Sequence, residues 1–450
     1  MTIASRWPLP DRRSATQLAN DQEDVRRQVV KLTDANTDES ARQQQNQLVQ
    51  RILQRQRTAA TAQATPFLHL PLDNAGDRVS LVASGELVVD ADPATLDALG
   101  PLLSGYQPAD RHGRSPHRRT RVFRAHAKTA EQLRADASRL RSHNGVEANV
   151  NTIVPLGYVT KGDSYPGSTV APAAFATNGA TAPVRVAIID TGITAEQRTD
   201  GWDSGVIRAG TDPVNVLAPL DRIDWFAGHG TFATGIVRQI APDCDVAVYR
   251  FTTTDGLGTD EAAADMMIQA AEDANGERLI INASFGTPAI DGVPPLAIQE
   301  AINHITEQHP SVLIIASAGN DGRDQPLYPA AFPDVVAVGA LNSDLTPASF
   351  TNHGTWVDCA AVGVGVISTF VEGKLPPEPG IGTDITFGAN SWATWSGTSF
   401  SAPQITGAVA ALCGEDPALT PRQALDQLFA GRPTAPGLGK VIHILPGTPL

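Results

Sequence analysis

The chain has few cysteines and lacks any long hydrophobic run. Its 450 residues include three cysteines, Cys244, Cys359 and Cys413, which are widely spaced. This set fits neither a disulfide framework nor a cysteine-ligated zinc site, so we expect three buried thiols. No apolar run approaches the roughly 18 to 20 residues that a membrane-spanning helix requires. Because the first residues, MTIASRWPLPDRRSATQLANDQED, also lack the apolar core of a secretory signal, we expect a cytoplasmic protein without a membrane span.

Charged side chains are also scarce, at 18% of the residues, and they are unevenly distributed. Residues 1–160 contain 21 Lys and Arg against 17 Asp and Glu, a net charge of +4, whereas the remaining residues contain 13 against 31, a net charge of −18. These two parts can attract each other, although two independently solvated surfaces would have the same composition. The basic stretch RHGRSPHRRTRVFR is short and almost free of aromatic side chains, which argues against a nucleic-acid partner.

Composition divides the chain into four parts. Residues 1–62 are polar, which predicts a disordered segment or a partner-dependent helix over ESARQQQNQLVQRILQRQRTAATAQA. Residues 63–155 alternate short strand and helix patterns and predict a small α+β domain, and the Gly-, Pro- and Ser-rich residues 156–182 predict a linker. Residues 183–450 contain continuous apolar runs of strand length between helical stretches. This pattern is typical of an α/β domain with a mostly parallel sheet covered by helices on both faces.

Three polar residues in the last part have positions that suit catalysis. Asp190 ends the strand pattern VAIID, His229 lies between two glycines in GHGTFATGIV, and Ser399 lies in the turn SGTSFSAP before a long apolar helix. A carboxylate that orients an imidazole, an imidazole that transfers a proton and a hydroxyl that attacks are the parts of acyl-transfer chemistry. Each residue alone has a simpler explanation, namely a turn former, a structural histidine and a helix cap. We expect Ser399 to occupy that cap, where the helix dipole favours negative charge.

A fourth residue, Asn320, ends the strand pattern IIASAGNDG. Its side-chain amide can donate a hydrogen bond to the oxyanion of a tetrahedral intermediate, with the backbone N–H of Ser399 as the second donor. An asparagine in a turn before Gly322 would be the simpler interpretation if the other three residues were missing. The four residues together therefore indicate a serine hydrolase.

The motifs around these residues resemble those of the subtilisin-like serine peptidases, the subtilases. The resemblance rests, in this order, on Asp190-Thr191-Gly192, His229-Gly230-Thr231, Ala318-Gly319-Asn320 and Gly397-Thr398-Ser399-Phe400-Ser401-Ala402-Pro403. It covers about residues 183–445 and implies a three-layer αβα fold, preceded here by the small α+β domain. It also implies a serine endopeptidase in which Ser399 is the nucleophile, His229 the general base and acid, and Asp190 its orienting partner. Asn320 would be the oxyanion donor.

The resemblance also implies where a peptide or protein substrate binds. Two segments resemble the strands that pair with an extended substrate backbone from opposite sides. The first comprises Ser284, Phe285 and Gly286, and the second comprises Gly256, Leu257 and Gly258. Further substrate contacts are expected from Ser317, Ala318, Gly319 and Leu327. Because Leu327 stands where the family often has glycine, we expect a shallow pocket that favours small apolar side chains.

Some segments depart from the family pattern. The calcium-binding insertion that often follows the catalytic histidine is absent, because FATGIVRQIAPDCDVAVYRF runs straight on. We therefore expect no metal or other cofactor, although calcium at another site stays open. Tyr328–Pro329 is a candidate cis peptide. Residues 371–395 are longer than usual and predict a flap, in which Trp392 and Trp395 either pack in the core or face the substrate.

The front part of the chain has two interpretations. Subtilases often carry an N-terminal pro-domain that assists folding and inhibits the active site, and residues 63–155 have the size and position for this role. The alternative is an adaptor that brings the peptidase to a target protein. A separate hypothesis concerns the whole chain, which would be a peptide-binding or effector protein that is inactive unless a partner binds.

Overall fold

The computed structural model describes residues 6–37, 54, 66–72, 79–110, 113–156, 164–167, 184–218, 220–375 and 385–450. The helix predicted within residues 39–64 lies outside these residues, apart from Gln54, and so does most of the predicted linker. The α-helices of the described part are α1 (Ala15–Thr37), α2 (Pro93–Ala98), α3 (Ala130–Arg141), α4 (His229–Ile240), α5 (Asp260–Asp273), α6 (Leu296–Gln308), α7 (Ala402–Glu415) and α8 (Pro421–Phe429).

The strands divide between a small domain, residues 66–156, and a large domain, residues 184–450. Those of the small domain are β1 (Phe67–Pro71), β2 (Val79–Asp90), β3 (Gln107–Pro108), β4 (Arg121–Arg124) and β5 (Glu147–Pro155), and β6 (Tyr165–Pro166) lies in the linker. Those of the large domain are β7 (Arg185–Asp190), β8 (Ile193–Thr194), β9 (Ile207–Arg208), β10 (Thr211–Asp212), β11 (Asp245–Arg250), β12 (Leu257–Thr259), β13 (Leu279–Ala283), β14 (Thr287–Pro288), β15 (Val312–Ser317), β16 (Leu327–Tyr328), β17 (Val335–Leu341), β18 (Cys359–Val362), β19 (Val366–Thr369), β20 (Gly373–Lys374), β21 (Thr386–Phe387), β22 (Trp392–Trp395), β23 (Thr434–Ala435) and β24 (Gly439–Ile442).

The large domain is built on a nine-stranded sheet with the order β23-β24-β18-β17-β15-β13-β7-β11-β9. Its neighbouring strands are parallel except in the hairpin β23–β24. Helices α4 and α7 cover one face and bury one apolar core, and α5 and α6 cover the other face and bury a second. Both faces are covered, which explains why the strands are continuous apolar runs. The predicted three-layer αβα fold is confirmed.

The small domain has an antiparallel sheet with the order β5-β2-β4-β3, and β1 also pairs with β2. Helix α3 packs on this sheet through Leu133, Ala137 and Leu140, which follow the spacing of three and four that the sequence shows. Thr129 and Gln132 form a capping box that fixes the start of this helix. Strand β5 also pairs with β12 of the large domain, so one sheet joins the two domains.

Helix α1 packs on the large domain, although the sequence of this part predicts no core contribution. Val25 and Leu32 are fully buried against Phe350 and Val364. The amide of Gln28, also buried, donates to the carbonyl of Thr394 at 2.8 Å. Val25, Val29 and Leu32 thus hold one face of α1 against the large domain, although the polar composition of this part predicts no core contribution.

The two domains meet through side chains of opposite charge. The side chain of Arg118 is fully buried and donates to Asp265 of α5 at 2.9 Å. Arg134 of α3 donates to Asp291 at 2.9 Å. These pairs join the positive part of the chain to the negative part, as attraction between the two would require.

The structure also bears on the predicted cis peptide, the predicted flap and the expected lack of a membrane span. The Tyr328–Pro329 peptide is cis, as predicted. The predicted flap is described except for residues 376–384, and its remaining part packs on the large domain through Phe387, which contacts Phe370 with 4.5 Å between ring centroids. Among the described residues, no helix combines the length and apolarity that a bilayer crossing demands.

Candidate active site

Asp190 and His229 form a buried pair at the carboxyl edge of the central sheet. Asp190 is the last residue of β7, and His229 is the first residue of α4. The Nδ1 atom of His229 lies 2.9 and 2.8 Å from the two carboxylate oxygens of Asp190. The backbone N–H of Thr191 donates to the same carboxylate at 2.7 Å. These bonds hold the imidazole in one orientation, with Nε2 directed away from the aspartate.

A second aspartate, Asp212, supports this pair, and sequence reasoning missed it. It is fully buried and accepts hydrogen bonds from the N–H of Gly228 at 2.8 Å and from the hydroxyl of Thr191 at 3.0 Å. Burial raises the pKa of Asp212 to about 6, and the donated hydrogen bonds oppose this rise. Asp212 therefore links the turn after Asp190 to the residue before His229.

Close packing explains the glycine after the histidine. An ideal Cβ on Gly230 would lie 2.3 Å from the carbonyl oxygen of Gly192 and 3.2 Å from Cβ of Asp190. The first distance is shorter than any real contact, so a side chain here would push α4 away from β7. The motifs around Asp190 and His229 therefore fix the distance between the elements that carry them.

Ser399 lies in a short 3₁₀ turn, Thr398–Phe400, directly before α7. The prediction that Ser399 caps the helix is wrong, because α7 begins at Ala402 and its N-cap residue is Ser401. The Ser399 hydroxyl instead donates to the carbonyl of Ser284 at 3.4 Å. In this rotamer it makes no hydrogen bond with His229, both residues being within the described part. The rings of His229 and Phe400 lie 5.3 Å apart between centroids, so the imidazole is beside the turn that carries Ser399.

A chain of buried hydrogen bonds positions this turn. The hydroxyl of Thr406 donates to Asn282 at 3.1 Å, and the Asn282 amide donates to the hydroxyl of Ser284 at 2.9 Å. The Ser284 hydroxyl in turn donates to the carbonyl of Ser399 at 2.9 Å. Sequence reasoning missed Asn282 and Thr406. The available signal was a single amide inside the apolar strand LIINA, where an unbonded polar group would be costly.

Asn320 lies beside the same turn with a defined amide orientation. Its Oδ1 accepts from the backbone N–H of Thr398 at 2.9 Å and from the Thr398 hydroxyl at 2.8 Å. Because the carbonyl end of the amide is held by Thr398, the Nδ2 end is directed away from that residue. Nδ2 lies 3.6 Å from the ideal Cβ position of Gly397, close to the backbone that leads into Ser399.

The segments predicted to bind substrate face each other across residues 153–156 of the small domain. Leu257 pairs with Pro155, and the N–H of Leu156 donates to the carbonyl of Gly256 at 3.0 Å. On the other side, the N–H of Gly286 donates to the carbonyl of Pro155 at 3.3 Å. The end of β5 is therefore an extended strand between the two predicted substrate-binding segments.

Two of the predicted substrate-binding glycines lie against Leu327. An ideal Cβ on Gly286 would lie 2.5 Å from Cδ2 of Leu327, and one on Gly319 would lie 2.8 Å from the same atom. Ser317 and Ala318, at the end of β15, are both buried. Leu327 thus fills the space between two glycine-containing segments, and the shallow pocket stays a prediction.

Residues 182–430 match the family model described as the subtilase family, Peptidase_S8. This match covers more than half of the chain. The chain belongs to the subtilase family. Its membership confirms the predicted resemblance and the fold class.

Individual relatives of this subtilase are distant. A thermophilic serine proteinase of Bacillus sp. (strain AK1) is 30% identical over 253 residues, which are 54% of this chain and 55% of the relative. Subtilisin BL of Lederbergia lenta is 28% identical over 265 residues, which are 57% of this chain and 84% of the relative. The chain thus spans only about half the length of the first of these two proteins.

The fold likeness reaches further along the subtilase chain than the family model does. The crystal structure of fervidolysin from Fervidobacterium pennivorans, described as a keratinolytic enzyme related to subtilisin, matches with a TM-score of 0.57. The match covers 81% of this chain and 60% of that one at 17% identity, so it concerns the fold alone.

Aromatic packing answers the question about the tryptophans of this subtilase. Trp395 is almost fully buried, and its ring lies edge-on to His229 with 5.4 Å between centroids. It also contacts Phe232 and Phe400, at 5.6 and 4.9 Å. Trp392 is buried as well. Both tryptophans therefore pack in the interior, and Trp395 supports the imidazole from within the domain. The roles predicted for individual site residues, the absence of a cofactor and the cytoplasmic location stay predictions.

Proposed function

We propose that this chain is a serine endopeptidase that hydrolyses peptide bonds through an acyl-enzyme intermediate. In this proposal Ser399 is the nucleophile, His229 the general base and acid, and Asp190 the carboxylate that orients the imidazole. The observation that carries it is the buried Asp190–His229 pair, with both carboxylate oxygens within 2.9 Å of Nδ1. A pair of this kind keeps Nε2 available as a proton acceptor and stabilises the imidazolium that forms.

A side chain or backbone group of this chain can carry out each step of the proposed reaction. The Oγ atom of Ser399 attacks the carbonyl carbon of the peptide bond while its proton moves to Nε2 of His229. The Nδ2 donors of Asn320 and the N–H of Ser399 stabilise the oxyanion. His229 then gives the proton to the leaving amine, which departs as the acyl-enzyme forms. Water, deprotonated by His229, hydrolyses the ester and restores the Ser399 hydroxyl.

Labelling with a fluorophosphonate tests this assignment. The reagent forms a covalent bond with an activated serine, so we expect one label per active chain and none in Ser399→Ala. The matched control is Ser104→Ala, which removes an exposed serine of the small domain and leaves the label unchanged. A chain that is unlabelled both intact and after removal of its front part contradicts the proposal and favours the inactive peptide-binding protein.

We also propose that the small domain inhibits the active site until it is released. Support comes from residues 153–156. On one side Pro155 pairs with Leu257, and on the other side its carbonyl accepts a hydrogen bond from the N–H of Gly286. A peptide substrate that binds to these strands competes with this segment. Residues 157–182 follow it in the chain and are the candidates for self-cleavage.

Intact-mass measurement during activation tests this control. We expect hydrolysis of a short peptide substrate to rise in step with cleavage between residues 156 and 183, and Ser399→Ala to remain a single chain. Full activity in a protein with an uncut N-terminal part would contradict the inhibitor and favour the adaptor.

A further inference from the structure

Two histidines and a glutamate from both domains meet on the surface, outside the active site described above. His117 belongs to the loop between β3 and β4 of the small domain. Glu272 lies in the last turn of α5, and His304 lies on α6. One side-chain donor atom from each of the three lies within 4.8 Å of the other two. The Nε2 atom of His117 is 3.0 Å from Oε1 of Glu272, and the rings of the two histidines stack with 4.9 Å between centroids.

The loop that carries His117 is fixed against α5 by its neighbours. Arg118, the next residue, has a fully buried side chain that donates to Asp265 at 2.9 Å. The N–H of Ser115 donates to the same carboxylate at 3.0 Å. The side chains of His117 and Glu272 remain 50% and 40% exposed. The backbone is therefore held in place while the donor atoms stay open to an ion from solvent.

The donor set suits one class of ligand. Two imidazole nitrogens and a carboxylate oxygen are typical ligands of Zn²⁺, with water as the fourth. Tetrahedral bonds of about 2.0 to 2.1 Å place ligand atoms about 3.3 Å apart. Nε2 of His117 and Oε1 of Glu272 already lie 3.0 Å apart, near this separation, and all three donor atoms lie within 4.8 Å of one another.

We propose that His117, Glu272 and His304 bind one zinc ion that ties the small domain to the large domain. The three ligands come together only when the domains are docked, so the ion stabilises the docked state by mass action. The site itself is independent of catalysis. Its effect on activity rests on the proposed inhibition by the small domain.

Zinc titration of the full-length Ser399→Ala protein, in competition with a chromogenic chelator, tests the site. We expect one zinc ion per chain, and a loss of affinity of at least about tenfold in His117→Gln and in His304→Gln, since even groups that only support a ligand cost that much. The matched control His143→Gln, which changes an exposed histidine of the small domain, should bind zinc like the parent. Undiminished binding in the two ligand variants, or no binding by the parent, overturns the site.

Activation of the catalytically competent chain tests the second part. Zinc should slow the appearance of peptide-hydrolysing activity, EDTA should restore the rate, and His304→Gln should activate at one rate with or without zinc. If Ser399→Ala binds one zinc ion per chain but zinc does not change the activation rate of the competent chain, the proposal that zinc holds the two domains together is overturned. A chain that hydrolyses no peptide under any condition contradicts the proposed function, whereas the binding result stands.

Discussion

At the scale of single residues, the candidate site depends on how each polar group is held by its neighbours. The amide of Asn320 is oriented because both the N–H and the hydroxyl of Thr398 donate to its Oδ1. A donor fixed before the substrate arrives needs no reorganisation when negative charge develops, which makes such donors effective in catalysis. This fixed orientation supports the oxyanion role that we propose for Asn320.

Replacing this donor gives the first prediction. Asn320→Ala should lower kcat by about 10² to 10³, the loss known for one oxyanion donor in a subtilisin itself, with little change in KM. Peptide-hydrolysis kinetics of the activated enzyme measure this effect. Asn303→Ala, on the exposed face of α6, is the matched control and should leave kcat unaltered. A kcat close to that of the parent in Asn320→Ala would exclude Asn320 as an oxyanion donor.

At the scale of elements, α1 is connected to the strand that leads to Ser399. The Gln28 amide donates to the carbonyl of Thr394 at 2.8 Å and accepts from the hydroxyl of Ser396 at 2.6 Å. Strand β6 of the linker pairs with the same strand, β22, through Tyr165 and Thr394. Helix α1 and strand β6, which both precede the large domain in the chain, therefore form hydrogen bonds with β22 or with the residue after it.

Truncation of Gln28 should therefore destabilise the fold. In Gln28→Ala the buried Thr394 carbonyl and the Ser396 hydroxyl lose a partner, at a cost of about 1 to 3 kcal/mol in the free energy of unfolding. Urea unfolding in the Ser399→Ala background, which prevents self-digestion, measures the change. Asn20→Ala removes an exposed amide from the same helix and should change the free energy little. Equal stability of both variants would show that the Gln28 contacts contribute nothing.

At the scale of the whole molecule, a buried arginine holds the two domains together. Arg118 lies 2.9 Å from Asp265 and 3.7 Å from Glu261, and none of the three side chains is more than 8% exposed. Removing one member of such a buried set leaves the remaining charges uncompensated. The small domain should then dock less firmly on α5 and α6.

Hydrogen exchange can detect this loosening. In Arg118→Met, within the Ser399→Ala background, we expect faster exchange along the β5–β12 pairing, because breaking a buried ion pair costs about 3 to 5 kcal/mol. Arg119→Met removes the neighbouring arginine, whose side chain is 69% exposed, and should exchange like the parent. Identical exchange in the two variants would mean that the apolar contacts alone hold the small domain.

The same interior protects the three thiols. Burial raises the pKa of Cys244 to about 12 and that of Cys413 to about 11, and it also raises the pKa of Cys359. Since the thiolate is the reactive form, a disulfide reagent at pH 8 should leave all three unmodified in the folded protein and modify all three in denaturant. Ser104→Cys, at an exposed position, should react at once and serves as the control. Rapid reaction of a native cysteine would contradict its burial.

The sequence by itself determined the buried strands of the large domain and the motifs in which the candidate site residues stand. Apolar runs such as VRVAIID and VVAVGAL predict buried parallel strands because their pattern is local, and Asp190, His229, Asn320 and Ser399 stand in family motifs that need no partner to be recognised. Helix α3 was predictable for the same reason, since its apolar spacing and its cap lie within one short segment.

Only the tertiary structure decided what depends on residues far apart in the chain. The burial of α1, the support of the Asp190–His229 pair by Asp212 and the position of residues 153–156 between two segments of the large domain have no local pattern. The same is true of the meeting of His117 with Glu272 and His304. Each of these contacts joins segments that are far apart in the chain. Their proximity follows from how the domains pack and not from the spacing of apolar residues within any one segment.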